Sequence, residues 1–405
     1  MRNAACDARR VIPFLAVLAS LIVVVLRANS GSPSFQARGE AGDDAHSQDA
    51  SAAAEEQDVR LPPASVRALS FAGHSISGDQ LDLVARLHSL EELDLRAASL
   101  TDDGLLRLRS LRRLRRLHVS GPRISDAGMG VVKSLPHLEE LSIACTSVTG
   151  IGLAQLRPMW RLRSLCICGA KLKDQGWRVV GDLHQMRSLD VGHSNIANDH
   201  LKNHIARIRK LERLDLSYTD VTDDGLLEIA ALRYLEELDL RGTDATDATL
   251  TRLGRLRRLR SLDVGFTRVT GKGSAALKTI QTLRLDSSEL DDGGLAAISR
   301  LSGLRTLDIS RTSVSNAGAA AMGALRNLES LRMQGCEIGD VGLRGVGKLT
   351  ELRVLAVTGK QVTDAGLREL YPLEKLRLLT LRGTAVTDQG IRKLREHLPL
   401  VEILR

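Results

Sequence analysis

The stretch LDLSYTDVTDDGL, residues 214–226, brings Asp215, Asp220, Asp223 and Asp224 close together in sequence. Clustered carboxylates can cage calcium or share general acid–base work. A calcium loop, however, needs oxygen ligands at alternate positions before its glycine and a bidentate acid at its end. The order DVTDDG lacks that alternation. Cys166 and Cys168, in LCICG, share one face of a strand, about 7 Å apart, too far for a relaxed disulfide. With Asp190 on the next strand they make a conceivable thiolate–carboxylate metal site. His200 and His204 stand at i, i+4, a zinc-binding spacing on a helix, with His184 and His193 near in sequence. No acid accompanies them as in H-E-x-x-H, and VTGKGSA at 269–275 lacks the spacing of a phosphate-binding loop. No nucleophile stands beside a base. The chain is therefore expected not to be an enzyme, with no catalytic residues, no metal site and no cofactor.

What must position these side chains is a repeat. From Val66 onward the pattern L-x-x-L-x-L-x-x-T-x-[VI]-T-D-x-G-L-x-x-L-x-x-L recurs, with L-x-L pairs starting at Leu69, Leu93, Leu117 and so on to Leu379. That makes fourteen repeats and a half repeat ending at Ile403, spaced by 24 except for 25 after Leu189 and 21 after Leu262. L-x-L suits a short strand with both leucines buried, and G-L-x-x-L-x-x-L has helical spacing. No single repeat can bury its leucines alone, so neighbours must stack into one continuous core. Aromatic residues make up only 2% of the chain, consistent with a core built from leucine. At ~4.8 Å between strands, fourteen repeats give an inner arc of roughly 65 Å.

The fourteen copies in register closely resemble the leucine-rich-repeat family, in particular its ribonuclease-inhibitor-like members and long bacterial proteins with the T-x-[VI]-T-D-x-G-L core. The resemblance implies an α/β solenoid over residues 61–405, of about 14 repeats. Its form would be a curved right-handed βα superhelix with a concave parallel sheet and short convex helices. It also implies a binding function.

The repeat sorts the aspartates. Thr222 occupies a helix-start slot shared by Ser77, Thr101, Ser125, Thr149, Thr246, Thr270, Ser315, Thr363 and Thr387. Its hydroxyl is expected to cap free N–H groups, with Asp223 and Asp224 favouring the positive end of their own helix. Asp215 lies between two leucines and points outward, as do Asp190, Asp239 and Asp263 in adjacent repeats and Asp94 and Asp308 further off. Like charges ~5 Å apart repel, and Arg213, Arg241 and Arg284 are placed to compensate. The expected partner surface is Asp190, Arg213, Asp215, Glu237, Asp239, Arg241 and Asp263. With few aromatics there, the interface should be polar and anchored by arginine.

Two further columns carry charge. Two residues before each L-x-L run Glu91, Arg115, Glu139, Arg163, Arg187, Glu212, Glu236 and Arg260, then Arg305, Glu329 and Arg353, which predicts ion pairs between repeats. Just before the strands Arg112, Arg113, Arg161, Arg209, Lys210, Arg257 and Arg258 form a basic rim at helix C-termini, where cations suit the dipole. The same rim suits an anionic polymer or membrane surface. Nucleic acid is disfavoured, because base-stacking aromatics are not interleaved with these arginines.

The N-terminal part differs. Residues 1–10 are a basic tip, and 11–26, VIPFLAVLASLIVVVL, are either a signal anchor or a cleaved signal peptide. Residues 27–60 are small, polar and acidic and are expected to be a disordered linker. The formal charge of the whole chain is +8. The expected localisation is membrane-anchored with an extracytoplasmic repeat domain, or secreted after cleavage. The functional expectation is a non-catalytic scaffold that binds a protein on its concave face. Anionic-polymer or envelope-surface binding by the basic rim is the first alternative. A substrate-receptor-like module of a ubiquitin-ligase-type assembly is the second, although residues 27–60 do not form the adaptor-binding helices this would need.

Overall fold

The computed structural model describes residues 66–405; the basic tip, the apolar segment 11–26 and the acidic linker lie outside the described residues. Fifteen parallel strands, from Ala68–Ser70 to Glu402–Leu404, form one sheet in strict sequence order. The terminal half repeat supplies the fifteenth strand, pairing Leu379 with Ile403. Each of the first fourteen strands is followed by a short α-helix or 3-10 turn on the opposite side of the core. Helical segments are about 10 Å across while strands lie ~4.8 Å apart. The array must therefore curve with its sheet inside. Among the described residues no helix is long and apolar enough to cross a membrane.

The two spacing irregularities are absorbed away from the sheet. After Leu262 a 3-10 turn at Lys272–Ala276, entered through Gly271 at φ +89°, replaces the longer helix, and Leu262 still pairs with Leu283. After Leu189 the helix Asn198–Asn203 stops and a 3-10 turn at Ile205–Arg207 follows, with Leu189 and Leu214 in register. The ladder sets the register because both strand leucines are buried, as with Leu214 and Leu216 at 2% and 0% exposure. A buried threonine after the strand returns its hydroxyl to a strand carbonyl, as Thr219 does to Leu216 O at 2.6 Å. This explains the first T of the repeat.

The helix-start threonines cap as expected in most repeats; Thr101 Oγ1 accepts from Gly104 N and Thr363 Oγ1 from Ala365 N. The aspartate beside them does something the spacing alone did not predict. Its carboxylate reaches into the next repeat rather than serving its own helix. Asp340 accepts from Thr363 N at 2.8 Å and Thr363 Oγ1 at 2.7 Å, and Asp102–Ser125, Asp126–Thr149, Asp292–Ser315 and Asp364–Thr387 repeat the pair. Thr222 itself makes no cap bond; its backbone N–H and hydroxyl are held by the Asn198 amide at 2.9 Å each. Asp223 in turn holds Thr246 N and Oγ1 at 3.0 and 2.6 Å. Burial opposes the charge of Asp223, but the hydroxyls of Thr246 and Thr249 and the Thr246 N–H hold its pKa below the usual range.

This clasp also accounts for the repeat's glycine. A Cβ on Gly342 would lie 2.7 Å from Asn316 Oδ1, and Gly128, Gly152, Gly318, Gly366 and Gly390 face the clasping carboxylate of the preceding repeat still more closely. Thr249 stands in that slot without a clash because its hydroxyl donates to Asp223.

The charged column before the strands pairs across several repeats where its signs alternate, though Glu139–Arg163 and Glu236–Arg260 form no ion pair among the described residues. Glu91 bridges Arg67 at 3.3 Å and Arg115 at 3.7 Å, and Arg115 reaches Glu139 at 3.1 Å. Arg187–Glu212 and Arg305–Glu329 also pair. Arg163 stands between Glu139 and Arg187, forms no ion pair among the described residues, and donates instead to the carbonyl of Trp160. Glu139→Arg would place a third cation between Arg115 and Arg163. It is expected to destabilise by about 1 kcal/mol relative to Glu228→Arg at an exposed glutamate outside the column, measured by thermal melts in low salt. Equal melting points would remove any structural role for the column.

Candidate partner-binding surface

The sheet brings the predicted acidic residues into line. Asp190 pairs in register with Asp215, Asp215 with Asp239 and Asp239 with Asp263. Local hydrogen bonding explains why aspartate recurs here. Each carboxylate accepts the N–H two residues on, from Gly192 at 3.0 Å, Ser217 at 2.8 Å, Arg241 at 2.8 Å and Gly265 at 2.9 Å. Asp94 and Asp308 do the same with Arg96 and Ser310 at 3.0 Å.

Compensation by cations is uneven. Arg241 donates to Asp286 Oδ1 at 2.9 Å and lies 3.5 Å from Asp263, and Arg284 sits 3.9 Å from Asp263. Asp94 is paired by Arg96 and Asp308 by Arg332. Arg213 makes no ion pair among the described residues, contrary to the role expected for it. Asp190, Asp215 and Asp239 likewise have no ion-pair partner among the described residues. Burial, then the negative charges of Asp263 and Asp215, push Asp239 up to about 7. Burial and Asp215 raise Asp190 in the same direction.

Beside the acids runs a feature the composition concealed. Four residues after the first strand leucine, the backbone is left-handed in all fourteen repeats; seven carry glycine there and seven do not. Tyr218 and Phe266 hold this conformation at φ +52° and +54°, which bulky residues adopt only at a cost. Both rings are 44% exposed. His193 stacks on Tyr218 at 4.7 Å, and Tyr218 leans across Gly242 to within 6.5 Å of Phe266. A Cβ on Gly242 would stand 2.5 Å from the Tyr218 ring, so glycine is required there for the ring to pass. Arg241 and Arg311 lie over Phe266 at 4.8 and 5.6 Å. Aromatic rings thus stand beside the polar, arginine-bearing surface expected here. Aligning the repeats by this position sets His193, Tyr218 and Phe266 in one column, a signal that total aromatic content cannot carry.

The other candidates resolve into structure. Cys166 donates to Asp190 Oδ2 at 3.1 Å, and burial with the nearby aspartate pushes Cys166 and Cys168 up to about 12. They are thiols, poor metal ligands at neutral pH. His200 takes the Ala197 N–H on Nδ1 and pairs through Nε2 with Asp174 at 2.9 Å. The helix ends at Asn203, so His204 does not continue its face. Among the described residues no group of three or more His, Cys, Asp or Glu is arranged to hold a metal ion.

The rim arginines lie in the turns before the strands and are mostly exposed. Arg209 reaches the Ala231 carbonyl of the next repeat at 3.2 Å, in keeping with a helix-end role. Aromatics are present among them after all: Arg161 lies over Trp160 at 4.6 Å and Arg258 over Tyr234 at 4.7 Å.

Comparison with known proteins agrees with this architecture. The leucine-rich-repeat family model matches residues 207–230 and 324–347. An internalin from Listeria monocytogenes shares 20% identity over 86% of this chain and 91% of its own, with a TM-score of 0.54. A leucine-rich-repeat protein from Leptospira interrogans shares 18% identity over 84% of this chain and 96% of its own, with a TM-score of 0.55. No curated protein matches the chain. Two segments that match the family model, and a fold shared with a leucine-rich-repeat protein, make this chain a solenoid of the leucine-rich-repeat fold.

Proposed function

We propose that the chain is a non-catalytic scaffold, displayed outside the cytoplasm, that binds a protein partner on its concave sheet. The docking surface comprises Asp190, Arg213, Asp215, Glu237, Asp239, Arg241 and Asp263, extended by His193, Tyr218 and Phe266. One contrast carries this reading. Aspartates of the inter-repeat clasp are fully engaged within the chain, whereas Asp190, Asp215 and Asp239 stand in line with no ion-pair partner among the described residues, beside strained, exposed rings. Unrelieved charge and backbone strain both reduce stability, and such costs concentrate at functional surfaces. Extracytoplasmic display rests on the apolar segment 11–26, and the ribonuclease-inhibitor-like repeat type on the T-x-[VI]-T-D-x-G-L core.

Crosslinked pull-down from membranes tests the surface. Joint substitution Asp215→Ala and Asp239→Ala is expected to lower capture about tenfold or more. Undiminished capture would move the site elsewhere. A second reading draws on the stacked pairs Trp160–Arg161 and Tyr234–Arg258, which suit the basic rim to an anionic polymer. In that case the double substitution would be silent and added salt would abolish binding steeply.

A further inference from the structure

We infer that the concave face holds a guanidinium slot over Gly192 that the chain itself leaves unfilled, and that an arginine of a basic polypeptide partner occupies it. This rests on the concave-face reading above and names the chemistry of the partner.

The pattern for the slot lies three repeats further along. There the guanidinium of Arg241 sits directly over Gly265, since a Cβ on that glycine would be 2.8 Å from Arg241 Nη1 and 2.9 Å from Asp286 Oδ1. Its walls are the Phe266 ring at 4.8 Å and the carboxylates of Asp286 at 2.9 Å and Asp263 at 3.5 Å. An aromatic face and two carboxylates around a planar cation are a matched set, because the ring and the acids attract the same charge from different sides.

At Gly192 two of these walls recur. Asp190 takes the place of Asp263 and His193 the place of Phe266, with Tyr218 stacked on His193. The place of Asp286 falls to Ser217, whose Oγ is 2.8 Å from where a Gly192 Cβ would stand, and the second carboxylate comes instead from Asp215, its Oδ1 at 3.2 Å. The residue in the position of Arg241 is Cys168, whose side chain is too short to bring a cation over the glycine. Acidic and aromatic walls without their cation favour a positively charged occupant. Arginine fits better than lysine, because only a planar fork can bridge two carboxylates while lying against a ring.

The test uses the full-length chain and a fluorescein-labelled peptide of alternating glycine and arginine, with lysine and glutamate versions alongside. Fluorescence anisotropy is expected to show the arginine peptide binding at least several-fold more tightly than the lysine peptide, and the glutamate peptide not at all. Tyr218→Ala and Asp215→Asn should each weaken binding about tenfold. Cys168→Arg should fill the slot from within and abolish binding, while circular dichroism confirms the fold. Arginine-peptide binding that survives Cys168→Arg, or equal binding of arginine and lysine peptides, would overturn the slot. Self-association that Cys168→Arg removes would seat a second copy there and overturn a separate partner. The membrane pull-down separates the two readings. Capture lost with Asp215→Ala plus Asp239→Ala but kept with Cys168→Arg sinks the slot alone. Capture indifferent to every concave variant sinks both.

Discussion

Asp239→Asn is expected to stabilise the folded chain at pH 8 and to leave it almost unchanged near pH 4. The Asp239 carboxyl is pushed up to about 7 by burial and by Asp263 and Asp215, against an ordinary value of 3.8. Between those two values the folded state holds the proton and the unfolded state has released it. Stability from this group is therefore present below about 4, declines as pH rises, and is fully lost above about 7. A shift of that size corresponds to on the order of 4 kcal/mol. Screening at the solvent-facing side of the carboxylate reduces it, so a measured gain of about 2 kcal/mol at pH 8 is expected. Asparagine keeps the acceptor for the Arg241 N–H at 2.8 Å, so only the charge is removed. Denaturant melts at pH 4, 6 and 8 check this. A stabilisation that does not grow with pH would mean the carboxylate column carries no strain. A gain in stability joined to a loss of partner capture would identify the column as kept for binding.

Gly366→Ala should be costly for a reason that helix propensity points against. Within the helix Asp364–Arg368 alanine would ordinarily be favoured over glycine by about 1 kcal/mol. Here the new methyl would meet the Asp340 carboxylate and come within 2.8 Å of Leu343 Cδ1. The carboxylate cannot swing away without giving up both of its bonds to Thr363. A net loss of about 2–3 kcal/mol is expected. Gly130→Ala is the control, since its nearest neighbour would be Leu106 Cδ2 at 3.8 Å, an ordinary contact. Asp340→Ala should cost about 1–3 kcal/mol by stranding the Thr363 N–H, and the double variant should lose less than the two singles combined. Additive losses, or equal melting of Gly366→Ala and Gly130→Ala, would disprove the clasp.

The residues of LDLSYTDVTDDGL show how much of this was legible beforehand. Period 24 with paired leucines identified the solenoid and put Asp215 on the open face, because L-x-L can bury both leucines in only one way. It also predicted the charged column, whose alternating signs are plain in the sequence. The target of Asp223 was not legible. Its partners, Thr246 and Thr249, lie in the next repeat, and a reading of single helices assigns such an acid to its own first turn. The Tyr218–Phe266 ridge was missed because two rings in a leucine-rich chain look incidental until their shared left-handed position is seen.

The sequence by itself determined the architecture. A strict hydrophobic period admits one stacking, and even the 21- and 25-residue spacings could not shift the strand register, since slippage would turn buried leucines outward. Tertiary structure alone decided which polar groups are satisfied. Pairing in a parallel array occurs between residues about 24 positions apart, where side-chain length and direction select the partner. That selection bound Asp340 to Thr363 and Asp263 to Arg241, and left Asp190, Asp215 and Asp239 aligned on the concave face with no ion-pair partner among the described residues.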